Sequence, residues 1–190
     1  GTHTIRLSGN INSIRFSGAP ASDRNAVRTI ENMGEVFWND MALSFASCAG
    51  LTSVTFGNCH TRNVQNWWSA FAGCPALTTV NLTGIQTDNA TVLQAMFADC
   101  ASLATVTGIE NIDTSTVQRM DEMFHFCPSL DAAQLDISGW NFSSLLPANG
   151  GEQRGLFNFI DDTAALSQSV YDALLLSMDA QPIAPGCFFG

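Results

Sequence analysis

Four pairs of polar residues recur along this sequence, each flanking one apolar residue: Ser53 and Thr55, Thr79 and Asn81, Thr105 and Thr107, Gln134 and Asp136. On the outward side of strands they would make a flat, polar surface of the kind through which repeat proteins bind partners. They are also what a strand wetted on one face requires, because Thr and Ser suit solvated strands. Trp67 and Trp68 are adjacent, so on a helix only one can share the buried face. Trp68 is the candidate exposed anchor for a sugar or a protein, with packing against a neighbouring repeat as its alternative.

Other chemistry finds less support. His60 beside Cys59, and His125 near Cys127, offer nitrogen and sulfur ligands. No paired Cys-x-x-Cys accompanies them, and calcium would need an Asp-x-Asp loop. No metal and no cofactor is therefore expected. Asp161-Asp162 suits the start of a helix, where the dipole favours acids. An enzyme needs a nucleophile with a base, or a carboxylate pair in a cleft. His3 and His125 have no such partner motif, and there is no glycine-rich phosphate loop. No catalytic residue is assigned. Asn81, Asn89 and Asn141 lie in Asn-x-Ser/Thr sequons, which matter only in a glycosylating host.

The polar pairs are carried by a repeat. Phe45, Phe71, Phe97 and Phe124 head four copies, at steps of 26, 26 and 27 residues. Cys48, Cys74, Cys100 and Cys127 follow three positions later, and Leu51, Leu77, Leu103 and Leu130 six positions later. Val54, Val80 and Val106 come at nine, with Ala133 in the last copy. Phe56, Leu82 and Leu135 come at eleven, with Gly108 in the third. A fixed period of this length predicts stacked repeats, each burying its apolar side against its neighbours. Within each copy the pattern reads helix, turn, strand. Val64, Trp67, Ala70 and Phe71 suggest one face of a short helix, as do Ala90, Leu93, Met96 and Phe97, and Val117, Met120, Met123 and Phe124. Thr61, Thr87 and Thr114 stand where they could cap those helices. Leu77, Val80 and Leu82 then read as a strand.

The 190 residues fit one domain, or a repeat array with caps. Hydrophobic content is 46% and charged content 13%, enough to bury a core, yet no apolar run is long enough to cross a bilayer. The chain starts at Gly1 without Met, in keeping with a processed or trimmed fragment, so the lack of a visible secretory signal carries no weight. Net charge is −10, with seven scattered Arg and no Lys. Phosphate binding needs cations, so neither nucleic acid nor an anionic membrane is expected as a partner. The ladder cysteines would sit about 4.8 Å apart across paired strands. Their side chains would point the same way, whereas a disulfide needs Cβ atoms turned towards each other. They read as buried free thiols.

Three regions follow. Residues 1–35 form an N-terminal β cap and lead-in, with a hairpin expected around the Gly9-Asn10 turn and an irregular segment from Val27 to Trp38. Residues 36–142 carry the repeats. Residues 143–190 hold a degenerate segment, with a strand over Gly155 to Ile160 and a closing helix from about Ala164 to Met178. Leu175 and Leu176 would broaden that helix's buried face.

Thr114-Ser115-Thr116-Val117-Gln118-Arg119-Met120-Asp121-Glu122-Met123-Phe124 and Phe71-Ala72-Gly73-Cys74-Pro75-Ala76-Leu77-Thr78 resemble the bacterial surface protein (BspA-like) leucine-rich repeat of mycoplasma lipoproteins. The likeness covers about residues 36 to 142. Trp67-Trp68 and Leu93 stand at its usual Met positions, and Gly108 at a usual Leu. The tail around Ala165-Leu166-Ser167 is similar to segments that follow such repeats, and Gly1 to Leu7 resembles the last strand of a PKD-like β-sandwich. The resemblance implies an α/β leucine-rich-repeat solenoid, with a parallel β-sheet on one side, short helices on the other, an N-terminal β cap and a C-terminal helical cap. It implies a non-catalytic adhesion module at a bacterial cell surface, binding a protein or glycan on another cell or matrix. Related segments in bacteriophage structural proteins give the alternative: a virion component meeting neighbouring subunits. The Thr/Ser-x-Thr/Asn rows also resemble an ice-binding array, although only three rows fit.

Overall fold

The polar–apolar–polar alternation around Val54, Val80 and Val106 has the period of a strand, and each valine is buried between outward neighbours. The computed structural model describes residues 9–131, 134–147 and 155–160, together with 172, 175–176, 178–183, 185 and 187. Its elements are β1 (Gly9–Ile11), α1 (Ala21–Arg24), β2 (Thr29–Ile30), β3 (Val36–Trp38), β4 (Ser53–Thr55), β5 (Thr79–Asn81) and β6 (Thr105–Thr107), followed by a 3-10 turn at Ile109–Asn111. Among the described residues all pairing is parallel, in two sheets ordered β1-β3 and β2-β4-β5-β6. The fold is thus built of parallel β-structure with few helices.

The repeat sets the register. Ser53 pairs with Thr79 and Thr79 with Thr105, so equivalent residues of successive copies lie side by side. The phenylalanines do the same in the core. Phe45, Phe71, Phe97 and Phe124 stack with centroids 5.4, 5.6 and 5.6 Å apart and ring planes within 11° of parallel. Phe16 extends the row at 5.6 Å, and Phe159 closes it edge-on to Phe124 at 5.8 Å. Full burial of such a ring contributes roughly 1.5–3 kcal/mol.

The three expected helices are absent: residues 68–73, 94–99 and 121–126 are continuous turns. Alternate amides bond across repeats, as in Ser69 N to Gln94 O, Phe71 N to Met96 O and Gly73 N to Ala98 O. The amides between them close local turns, such as Ala70 N to Trp67 O and Ala72 N to Ser69 O. Left-handed backbone at Leu43 and Ser47, Ser69 and Gly73, Ala95 and Asp99, and Glu122 and Phe126 makes a helix impossible there. Each such non-glycine residue costs of order 1–2 kcal/mol. The cross-repeat bonds offset that cost.

Consequently Thr61, Thr87 and Thr114 cap no helix. They are buried bridges to the next repeat. The Thr61 hydroxyl accepts from Gln86 N at 2.8 Å and donates to Gln86 O at 3.0 Å. Thr114 does the same with Asn141, at 2.7 and 2.9 Å, and Thr87 accepts from Asp113 N at 2.8 Å. Gly108, standing where leucine is usual, has a left-handed φ of 76° and lies against Thr83 N. Ile109, one residue on, is buried in the core.

The N-terminal hairpin is also corrected. Gly9–Ile11, expected to hold the turn, is strand β1 and pairs parallel with β3. The expected irregular segment supplies two strands to two different sheets, β2 and β3. Gly155 to Ile160 is a turn, not a strand; Glu122 N bonds Phe157 O and Phe124 N bonds Phe159 O, repeating the pattern of the earlier copies. Most of the expected C-terminal helix, and Ala133, lie outside the described residues. Leu175 and Leu176 are exposed, whereas Met178, Ile183 and Cys187 pack against the core.

Candidate functional site

The four-stranded sheet presents two outward rows. One runs Thr29, Ser53, Thr79, Thr105; the other runs Thr55, Asn81, Thr107. Parallel strands lie about 4.8 Å apart, so the rows are close-spaced ladders of short polar groups. Thr29, Thr79 and Thr107 are exposed and the remainder half-buried. The hydroxyls of Thr29, Ser53, Thr55, Thr79, Thr105 and Thr107 form no hydrogen bond among the described residues. Asn81 is partly committed, its Oδ1 accepting from Thr83 N at 2.9 Å. Just beside the rows, the Thr52 and Thr78 hydroxyls are spent on the preceding repeat's carbonyls, Arg28 O and Thr52 O.

Sequence reasoning placed Gln134 and Asp136 on this face, and the structure does not. Asp131 N bonds Ala104 O, but neither Gln134 nor Asp136 belongs to a strand of the described sheets. Gln134 N bonds Asp131 O. The Asp136 carboxylate accepts from Ser138 N at 3.2 Å and Ser138 Oγ at 2.7 Å, which lowers its pKa. Thr29, by contrast, was missed. It sits 24 residues before Ser53 rather than 26, and no Phe–Cys–Leu signature announces it.

Trp67 is fully buried and Trp68 is 42% exposed, so the two indoles do face opposite ways. Trp68 stands on the turn segment, its amide held by Asn66 Oδ1 at 3.0 Å. It is not part of the sheet rows.

The cysteine ladder is a set of buried thiols. Cys74 donates to Phe45 O and Cys100 to Phe71 O, each at 3.3 Å, and Cys127 donates to Phe97 O at 3.1 Å. Burial pushes Cys48 up to about 11, Cys74 and Cys127 up to about 12, and Cys100 well above the usual thiol value. Cys127 is thus committed to carbonyls, while Cys59 is buried and His60 is exposed. Among the described residues no three His, Cys, Asp or Glu side chains are grouped to hold a metal. Among them, too, no helix is long and apolar enough to cross a membrane.

No curated protein and no solved structure matches this chain. A protein family does match, over residues 20–107 and 39–150, so that the stacked repeats and the strand rows fall within the matched span. On that match the chain belongs to the family described as Mycoplasma protein of unknown function, DUF285.

Proposed function

We propose that this chain is a non-catalytic binding module of an extracellular bacterial surface, recognising a protein or glycan on another cell or matrix through its outward strand rows. The observation that carries the reading is the pair of in-register rows whose hydroxyls make no hydrogen bond among the described residues. Such a face loses little on desolvation if a partner supplies matching donors and acceptors. We further propose that the repeats wind as a BspA-like leucine-rich solenoid. The 26-residue register, the phenylalanine stack and the family match support this.

Thr79→Arg combined with Thr105→Arg places two long cations on the face without touching the core. Screened against an array of matrix proteins and glycans, the wild-type chain should retain at least one ligand, and the double variant should lose it while keeping its circular dichroism and melting temperature. A ligand held equally by both proteins would move the site elsewhere. Thermal hysteresis by the wild type alone would assign the same hydroxyl rows to ice. A regular assembly of the purified chain would favour the virion-component reading.

A further inference from the structure

A second surface, sharing no residue with the strand rows, carries unspent chemistry of a different kind. Phe37 is 48% exposed, yet its ring is fixed: it stacks on the His60 imidazole at 4.6 Å and 15°. The backbone holds the pair together, because Phe37 and His60 form a parallel bridge, with Trp38 N bonding His60 O and His60 N bonding Val36 O. A shallow open cleft runs beside the platform, lined by Phe37, His60, Arg62, Asn63 and Gln86.

The polar groups around the ring are held but not saturated. Arg62 Nε pairs with Asp88 Oδ2 at 2.8 Å, leaving its two terminal nitrogens with no partner among the described residues. Asn63 Nδ2 reaches Asn39 Oδ1 at 3.5 Å, leaving Asn63 Oδ1 to accept. The backbone of Gln86 is fixed by Thr61 on both sides, and its carboxamide has no partner among the described residues. The cleft therefore combines a half-exposed phenyl ring, stacked on an imidazole, with two planar amides and a guanidinium. The guanidinium's charge is already balanced by a carboxylate.

We propose that this cleft is a subsite for one neutral hexopyranose unit of a glycan. A pyranose has an apolar C–H face that covers an aromatic ring, and an equatorial rim of hydroxyls that both donate and accept. A carboxamide can serve such hydroxyls as donor and as acceptor. An anionic sugar is disfavoured: Arg62 is already paired, and the chain carries a net charge of −10. The same charge disfavours a nucleotide.

The test is titration of the full chain with methyl glycosides of neutral hexoses and with sialyllactose, followed by NMR of the Phe37 and His60 ring signals. A single shallow subsite predicts millimolar affinity, about −4 kcal/mol. At least one neutral glycoside should shift both rings saturably, and sialyllactose should not bind more tightly. Phe37→Ala should weaken binding tenfold or more. Phe37→Leu, which keeps apolar bulk without the ring, should weaken it nearly as much. Gln86→Ala should weaken it severalfold. Thr79→Arg should leave it unchanged, which separates this site from the strand face. Silence of both rings towards every neutral glycoside would overturn the proposal, as would full binding by Phe37→Leu or tighter binding of the sialoside.

Discussion

Ser44 is fully buried, and its hydroxyl has no hydrogen-bond partner among the described residues. In the other copies the residue just before the ladder Phe is Ala70, Met96 or Met123, all apolar. An unsatisfied buried hydroxyl costs roughly 1–3 kcal/mol, so Ser44→Ala should stabilise the chain by about 1 kcal/mol, read as a higher urea midpoint at constant slope. A lower midpoint would mean that the hydroxyl is bonded after all. Thr114 is the opposite case. Thr114→Val keeps the shape but strands Asn141 N and Asn141 O, and should cost about 1–3 kcal/mol. Thr107→Val, on the open face, is the control and should stay within about 0.5 kcal/mol. Equal costs for the two threonines would contradict the bridging role. Both residues look alike in the sequence; what separates them is only which atoms the neighbouring repeat brings near.

The expected helices show where sequence pattern misled. Thr61, Val64, Trp67 and Ala70 are spaced by three, as are Thr87, Ala90, Leu93 and Met96, and Thr114, Val117, Met120 and Met123. All twelve are buried. On an α-helix three such steps drift by about half a turn, so the ends would face opposite ways. A strict step of three is instead the period of linked turns, and that signal was present. The left-handed residues hid it, since Leu43, Ala95, Glu122 and Phe126 are not types that announce such a backbone. The strands and the thiol ladder were legible because both follow from simple alternation and register. The ladder also fixes a pH response. The usual thiol pKa is 9.0, and burial moves Cys48 to about 11 and Cys74 and Cys127 to about 12. Above pH 9 the unfolded chain releases protons that the folded chain retains. Stability contributed by these thiols is full below pH 9 and falls between pH 9 and about 12, by up to ~1.4 kcal/mol per pH unit for each thiol. Urea midpoints should therefore be flat from pH 7 to about 8.5 and drop steeply above 9, and a Cys74→Ala, Cys100→Ala double variant should show a shallower drop. An unchanged slope in that variant would remove the thiols as its cause.

At the scale of the whole molecule, each repeat touches chiefly the one before and the one after, as the 25- and 26-residue spacing of the cross-repeat bonds requires. The spacing of Phe, Cys and Leu made the middle of this arrangement readable. Its ends were not readable, because they keep the geometry without the signature. Phe16 joins the ring stack from 29 residues upstream of Phe45, and Phe159 joins it 35 residues after Phe124, each in a segment with no matching Cys and Leu. Backbone bonding tolerates those irregular steps, since a parallel ladder needs neighbouring chains and not a fixed loop length. If the stack is additive in this way, one internal repeat is dispensable. Deleting residues 71–96 joins Ala70 to Phe97 and removes 26 of 190 residues, about one seventh. In the shortened chain β4 meets β6, Phe45 stacks on Phe97, and Thr61 faces Asp113 as Thr87 does now. The product should stay soluble and unfold cooperatively, with a urea slope lower by about that same fraction, because the slope follows the surface exposed on unfolding. Removing only residues 71–83 should abolish folding, because half a repeat puts Phe against polar positions and breaks the thiol and threonine rows together. Survival of the half-repeat deletion, or collapse of the whole-repeat one, would show that stability resides in contacts between distant parts of the chain and not in the meeting of adjacent repeats.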